Sequence, residues 1–450
     1  NTFVVIRGLT QINNADSPVA IVVDGVPQNN QKQLKMDLFD IERIEVLKGP
    51  QGALYGRNAI GGAINIVTKQ PTNEFEGKVA GSLESGLGKR IEGAVSGPIA
   101  EDKVLFRLGG SYYETDGLIR NDFVGDDVDF VDHDYALRGK LAVNVSDNVT
   151  LDLRMSYRDF EAGSSYDVPV RHNGDPAIRN GDVNTVFDPN NNLIGVTNGD
   201  TLELTAKLDI DTAVGTLTAI TGYTDLAESY RADIDFSNQA FDPTFGGFAG
   251  LLGFLDFIGA FTAPPGTIGI GQAQDLDLEL MSQEIRLVSP GDFRLRYIVG
   301  AYYLHTNRDL QTRLFADQNG ERSQVDDSSL VFVNSQEENS NDAWSVFGQL
   351  EFDITDALTL QGAIRYDSDT RKQTDIASGL ERQNKFTNVQ PKVTLTYDFN
   401  DDVMGYATYS TGFRSGGFNA PIVTFTEFDD ETLDNYEVGL KSSLLDGRLI

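Results

Sequence analysis

The chain has 450 residues, no cysteine, and 68 Asp and Glu against 36 Lys and Arg, for a formal net charge of -32. That excess of acid disfavours nucleic acid as a partner. The missing cysteines exclude a disulfide framework and thiolate metal sites, and no charge-free apolar run of about 18 residues is present to form a membrane-spanning helix.

Residues 1–71 read as a small mixed domain of short apolar strands and Gly-rich turns. Strands are expected at Phe3 to Ile6, Ala20 to Val23, Arg43 to Leu47 and Ala63 to Val67. From Thr72 onward, residues 72–450, the texture changes to longer segments of alternating polarity. In Val149 to Tyr157 the odd positions are Val149, Leu151, Leu153, Met155 and Tyr157, while Thr150, Asp152, Arg154 and Ser156 take the other face. Leu202 to Ile210 and Leu358 to Tyr366 repeat the pattern. Alternation alone leaves open which face is wet, because a soluble sandwich shows the same rhythm.

The connections favour one answer. They are short at Ala100 to Lys103, Ser146 to Asn148, Ala213 to Gly215, Ser289 to Asp292, Thr355 to Ala357 and Asn400 to Asp402. Between these come longer ones at Asp116 to Asp132, Ala162 to Gly199, Asp233 to Gln274, Asp309 to Ser340, Lys372 to Asn384 (of medium length) and Ser415 to Glu431. Regular short and long alternation marks a transmembrane barrel with tight turns at one rim and large loops at the other. Tyr112, Tyr113, Tyr157, Phe160, Tyr302 and Tyr303 are expected to supply interfacial girdles.

Three stretches of the first region, FVVIRGL at Phe3 to Leu9, AIVVDGVP at Ala20 to Pro27 and IERIEVLKGPQGALYGRNAIGGAINIVTKQP at Ile41 to Pro71, resemble the plug of TonB-dependent outer-membrane receptors. Pro391 to Asn419 and Asn435 to Leu449 are similar to barrel strands of the iron-complex, siderophore-receptor branch of that family. The resemblance implies an all-β transmembrane antiparallel β-barrel of a 22-stranded family, with an α+β plug inside the lumen. About fifteen strands are expected in this chain, which then lacks the rest of the barrel and the segment before the first plug strand that carries the TonB-gripped motif. The implied function is active import of a scarce nutrient, foremost a ferric siderophore, powered by the TonB-ExbB-ExbD complex, with outer-membrane lipid around the wall. Import of a non-iron substrate such as cobalamin, a glycan or an aromatic compound is the alternative, followed by a passive channel or adhesin. No enzyme activity and no cofactor are expected.

The glycines Gly49, Gly52, Gly56, Gly61 and Gly62 permit tight turns and close approach to the wall. Arg7, Lys48 and Arg57 lie beside those turns and are expected to latch onto lumen-facing acids, the other reading being solvated surface charges. The resemblance places the plug apices on the outer side, as a substrate floor of Gln11, Asn13, Asn14, Gln28, Asn29, Asn30, Gln31 and Gln33. The Phe-rich stretch Phe245 to Pro265, with Phe245 and Phe248, is expected to pack on the rim or to wall the substrate site.

Other constellations carry less. The Gly49 to Gly62 run lacks the Lys-Ser or Lys-Thr of a phosphate loop. His133, His172 and His305 are far apart, with no second ligand type at fixed spacing. Asp126 to Asp132 lacks the spacing of a calcium loop. Alanine at Asn13, Asn14, Gln28 and Asn29 together is expected to lower ligand affinity about tenfold or more; unchanged affinity in a titration of the purified receptor rejects that floor.

Overall fold

The computed structural model describes residues 4–11, 15–121, 123–164, 189, 191, 193–234, 269–317, 330–421, 425–444 and 448–449. The expected Phe245 to Pro265 stretch, with Phe245 and Phe248, and Asn13 and Asn14 all lie outside them.

The first region forms its own sheet. Strands β1 (Val19–Val23), β2 (Val26–Gln28), β3 (Ile41–Lys48) and β4 (Gly62–Thr68) pair in the order β2-β1-β4-β3. β1 runs parallel to β4, from Val19 opposite Gly62 to Val23 opposite Ile66. Its sequence VAIVV is buried on both faces, as a central parallel strand requires. Ile21, Val23 and Ile66 pack on one face with Val4, Leu34, Met36, Ile41 and Ile64, and Ala20, Ala59 and Ala63 on the other with Tyr55. A 3-10 turn at Gln31–Leu34 follows β2, and a single helical turn, α1 (Gly52–Tyr55), sits between β3 and β4. The strand expected at Phe3 to Ile6 is not formed over Val4 to Ile6: Ile6 makes only an isolated bridge to Leu9 across an Arg7-Gly8 turn.

The second region builds one antiparallel wall of 14 strands. In chain order these are β5 (Glu76–Leu83), β6 (Lys89–Ala100), β7 (Val104–Thr115), β10 (Val131–Ser146), β11 (Val149–Gly163), β12 (Val196–Thr212) and β13 (Gly215–Asp233). Then come β14 (Gly269–Val288), β15 (Leu295–Asp317), β16 (Leu330–Thr355), β17 (Leu358–Asp375), β18 (Leu380–Asn400), β19 (Val403–Arg414) and β22 (Glu431–Ser442). Two small hairpins lie in the long connections, β8 (Arg120–Asn121) with β9 (Asp126–Asp127) and β20 (Gly417–Phe418) with β21 (Glu427–Phe428). The sheet is open, with β5 and β22 as its edges. Its 14 strands compare with the fifteen expected, since after β22 there is only a Leu444–Leu449 bridge among the described residues.

The short turns fall where the sequence puts them. Two longer connections shrink because the strands run on: β17 and β18 meet across residues 376–379 instead of Lys372 to Asn384, and β15 continues to Asp317 and β16 begins at Leu330, both inside the Asp309 to Ser340 stretch read as loop.

The wall is inside out relative to a soluble sandwich. Leu153 and Met155 are 39% and 47% exposed while Arg154 between them is 7% exposed; likewise Ile364 is 57% and Arg365 is 4%. Apolar side chains thus point away from the lumen and charged ones into it, the arrangement a bilayer demands. Tyr112 with Tyr135 (5.0 Å) and Trp344 with Tyr366 (5.4 Å) mark one edge of the apolar band, and Tyr397 with Phe399 (5.0 Å) the other. Of the girdle candidates, Tyr303 is exposed outward, whereas Tyr113, Phe160 and Tyr302 face inward: Tyr113 lies under Arg90, Phe160 under Lys35 and Arg158, and Tyr302 meets Asn29 of the plug. Neighbours on a strand take opposite faces, so an adjacent aromatic pair cannot serve one belt. Beyond the upper belt the pattern inverts, with Leu276, Leu278, Leu226 and Leu310 clustered inward and Asp277 and Glu279 outward, as for strands that project past the lipid.

Met155→Arg is expected to destabilise the wall by about 2–4 kcal/mol, and Glu279→Lys, above the belt, by no more than about 1 kcal/mol; chemical unfolding in lipid vesicles measures both.

Candidate functional site: the plug against the wall

No β-ladder joins the plug sheet to the wall. Contact is made by side chains and by a single backbone hydrogen bond between described residues, Asn58 N–H to Phe413 C=O at 3.0 Å. Two glycines bring the α1 turn against the wall. A Cβ at Gly52 would lie 1.8 Å from Gln390 Oε1, and one at Gly56, where φ is +80°, would lie 2.5 Å from the Arg365 guanidinium. A side chain at either position would have to displace Gln390 or Arg365, and at Gly56 it would also meet a left-handed backbone.

Plug cations meet wall acids on one side. Arg57 donates to Asp369 at 2.7 Å, with both side chains almost fully buried, and Arg371 bridges Asp369 to Asp16 of the plug. Lys32 and Lys35 share Glu228 at 2.5 and 2.7 Å. Arg7 reaches Glu437 at 3.2 Å at an exposed position. Lys48 is exposed and pairs with no wall acid among the described residues, because it stands at the end of β3, whose side chains are almost all exposed.

The reverse polarity, which sequence reasoning missed, rules the other side. Asp40 takes a two-pronged bond from Arg107 at 2.6 Å for each oxygen, the geometry that makes such pairs strong. Asp24 meets Lys140 at 3.2 Å and Arg154 at 3.6 Å while accepting from Thr68 N–H and Oγ1. Asp37 pairs with Arg90, and Arg138 donates to Phe39 C=O at 2.8 Å with its guanidinium 4.8 Å above the Phe39 ring. Asp24 and Asp40 hold φ of 49° and 56°, a left-handed geometry that Asp tolerates. A signal was available: Arg138 and Lys140 share one face of β10, Arg154 stands on the matching face of β11, and the acids recur across 24–40 of the plug.

Of the expected substrate floor, Gln11 is buried with neither amide atom hydrogen-bonded. Asn30 caps the 3-10 turn reciprocally with Gln33, and Gln33 also donates to Glu203 and Thr224 at 3.2 and 3.1 Å. Asn29 donates to Tyr302 Oη at 3.3 Å, Gln28 to Val26 C=O, and Gln31 is buried. Gln28 to Gln33 are therefore largely committed to the wall and to their own turn. Below them, toward the short-turn rim, is a cavity of about 840 Å³ lined by Asn29, Tyr55 and Asn58 of the plug and by Lys207, Arg286 and Tyr302 of the wall.

Residues 103–450 match the family model for the TonB dependent receptor-like β-barrel, and residues 1–63 that for the TonB-dependent receptor plug domain. The chain belongs to the TonB-dependent receptors. It is thus an outer-membrane β-barrel protein. Part of it is 40% identical over 102 residues to the pesticin receptor of Yersinia pestis, covering 22% of this chain and 15% of that one. Another match is the ferric enterobactin receptor PirA of Pseudomonas aeruginosa, 34% identical over 164 residues, 32% of this chain and 20% of that one. The crystal structure of the ferric yersiniabactin uptake receptor FyuA from Yersinia pestis superposes with a TM-score of 0.70 at 20% identity, covering 97% of this chain and 62% of that one. The receptor chain in hand therefore spans less than two thirds of the length of these relatives.

The ion pairs of this receptor make plug docking acid-sensitive. Burial pushes the Asp16 carboxyl up, but Arg371, Arg57 and Arg308 hold it at about 2. Asp24, beside Lys140 and Arg154, and Asp40, beside Arg107, are likewise lowered against the effect of burial. Folded values below the ordinary carboxylate range mean that docking gains stability fully present above about pH 4 and lost as pH falls toward 2. Acid titration followed by protease access to the plug is expected to show that window, with Asp16→Asn flattening it. Arg57→Ala, which strips one of two partners from buried Asp369 and leaves Arg371, is expected to cost about 2–3 kcal/mol. Arg7→Ala, at an exposed pair, should cost about 1 kcal/mol or less; thermal unfolding separates the two.

Proposed function

We propose that this chain is the plug and adjoining wall of a receptor that actively imports a ferric siderophore across the outer membrane. The observation that carries the reading is a folded plug held in a polar lumen by ion pairs, where a diffusion channel needs no plug at all. Two features support an active mechanism. Plug and wall have separate apolar cores, so the plug can shift by exchanging ion pairs for water without exposing either core. The charges at the interface come from both partners in both senses, so the docked position is specified by many contacts rather than one.

In this reading the ligand binds from the long-loop side, with Gln11, Asn13, Asn14, Gln28, Asn29, Asn30, Gln31 and Gln33 as its polar contacts and Phe245 and Phe248 as apolar ones. Arg7 and Arg57 act as latches, paired with Glu437 and Asp369. TonB, driven through ExbB and ExbD by the proton-motive force, supplies the pull that breaks them. The relatives named above, receptors for ferric enterobactin and ferric yersiniabactin, favour an iron complex over cobalamin or a glycan.

A strain deleted for the full receptor is expected to lose growth on one ferric siderophore within a panel of iron and carbon sources, and a tonB deletion should reproduce the defect. Loss of growth on a carbon source with iron uptake intact would replace the iron reading with a nutrient one.

A further inference from the structure

The cavity between plug and wall borders the latch residue Arg57 and the Asp24 ion pairs, and its place and ceiling suggest a further use. Its wall residues Lys207, Arg286 and Val288 stand near the short-turn ends of β12 and β14, and its lower rim is made by Arg43, Gln70 and Pro71 of the plug. Its ceiling is made by Gln28, Asn29, Asn30 and Leu34 with Tyr302. We infer that this cavity is a transit site for the imported ligand and that the plug segment Asn29 to Lys35 is the gate above it. The inference rests on the import reading above.

The ceiling is built to release. Its ties to the described wall residues include Asn29 to Tyr302, Gln33 to Glu203 and Thr224, and Lys32 and Lys35 to Glu228, all made by side chains. Its root, β2, is an edge strand of three residues paired only with β1. Peeling it away breaks a short hairpin and draws Leu34 off the Ile21, Val23 and Ile66 cluster, while the β1–β4–β3 pairing stays. The opposite side of the plug is tied more firmly, by the Asn58 to Phe413 backbone bond and by the close fit of Gly52 and Gly56 under Gln390 and Arg365. Opening at the gate therefore needs less than withdrawal of the whole plug.

The cavity is suited to a solute. At about 840 Å³ it lies within the size range of ligand sites. Arg57, Asn58 and Arg154 are among its lining residues. Two arginine donors beside Tyr55 and Tyr302 fit an oxygen-rich ligand with aromatic or other planar parts.

The absence of cysteine from the chain makes tethers clean. A Cβ at Gly222 of β13 would lie 2.9 Å from Val26 Cγ1 of β2, and one at Gly412 of β19 would lie 3.2 Å from Pro50 Cβ. The full receptor is made as Val26→Cys/Gly222→Cys and, separately, as Pro50→Cys/Gly412→Cys. Binding and uptake of a radiolabelled ferric siderophore are then measured with each pair oxidised and reduced. The gate tether is expected to leave binding unchanged and to cut uptake about tenfold or more, reversibly on reduction, while the second tether leaves uptake within about twofold. Undiminished uptake through the oxidised gate tether overturns the gate, and equal block by both tethers assigns the motion to the whole plug instead. If the unsubstituted receptor neither binds nor imports the siderophore, the import reading itself fails. Should the paired variants not assemble, Glu228→Gln gives the independent readout: a weakened gate is expected to raise cell sensitivity to antibiotics normally excluded by the outer membrane, and unchanged sensitivity counts against it. For the transit site, Asn58→Leu is expected to slow uptake with outer-face binding intact, and unchanged uptake counts against it.

Discussion

In hydrocarbon no water is available to satisfy a peptide group, and this constraint orders the whole molecule. It requires a wall in which backbone groups are paired strand to strand, and it drives apolar side chains outward. Because side chains alternate along a strand, every outward Leu153 or Ile364 leaves an inward Arg154 or Arg365. The lumen thus collects charge as a geometric consequence of the bilayer outside. Those charges must be paired or hydrated, and the plug is the surface that pairs them.

That origin explains the two-sided polarity of the interface. Where the wall presents Arg107, Lys140 and Arg154, the plug presents Asp40 and Asp24; where the wall presents Glu228 and Asp369, the plug presents Lys32, Lys35 and Arg57. Each half meets its complement, so the plug has one favoured orientation. The cost of desolvating both partners keeps the net gain per pair modest although breaking a single pair is expensive. An interface of this kind is firm against random fluctuation and still separable by applied force.

The close fit and the cavity divide the interface further. Around α1 the glycines let backbone approach wall side chains and one plug peptide bonds to the wall directly. Around β2 the contact is made through long polar side chains with space beneath them. Rigid and yielding contacts are thus set on different sides of one small domain.

Much of this was readable in the sequence, for a local reason. Period-two alternation in Val149 to Tyr157, the short turns from Ala100 to Asp402 and the glycine-rich plug motif are properties of neighbouring residues, and they carry strand, turn and family. The inward or outward sense of the alternation was not legible in any one strand, since the same residues fit a sandwich or a barrel; the spacing of the connections pointed to the barrel, and the exposures of Leu153, Arg154 and Met155 in the assembled wall bear it out. The same holds for the aromatics: Tyr302 and Tyr303 are indistinguishable by composition, yet one meets the plug and the other faces outward. Arg7 and Arg57 could be singled out beside their turns, but their partners Glu437 and Asp369 are separated from them by 430 and 312 positions. Such pairings, the missed contacts of Asp24 and Asp40, and the cavity under the 3-10 turn arise where two separately folded sheets meet, and only their packing places those groups together.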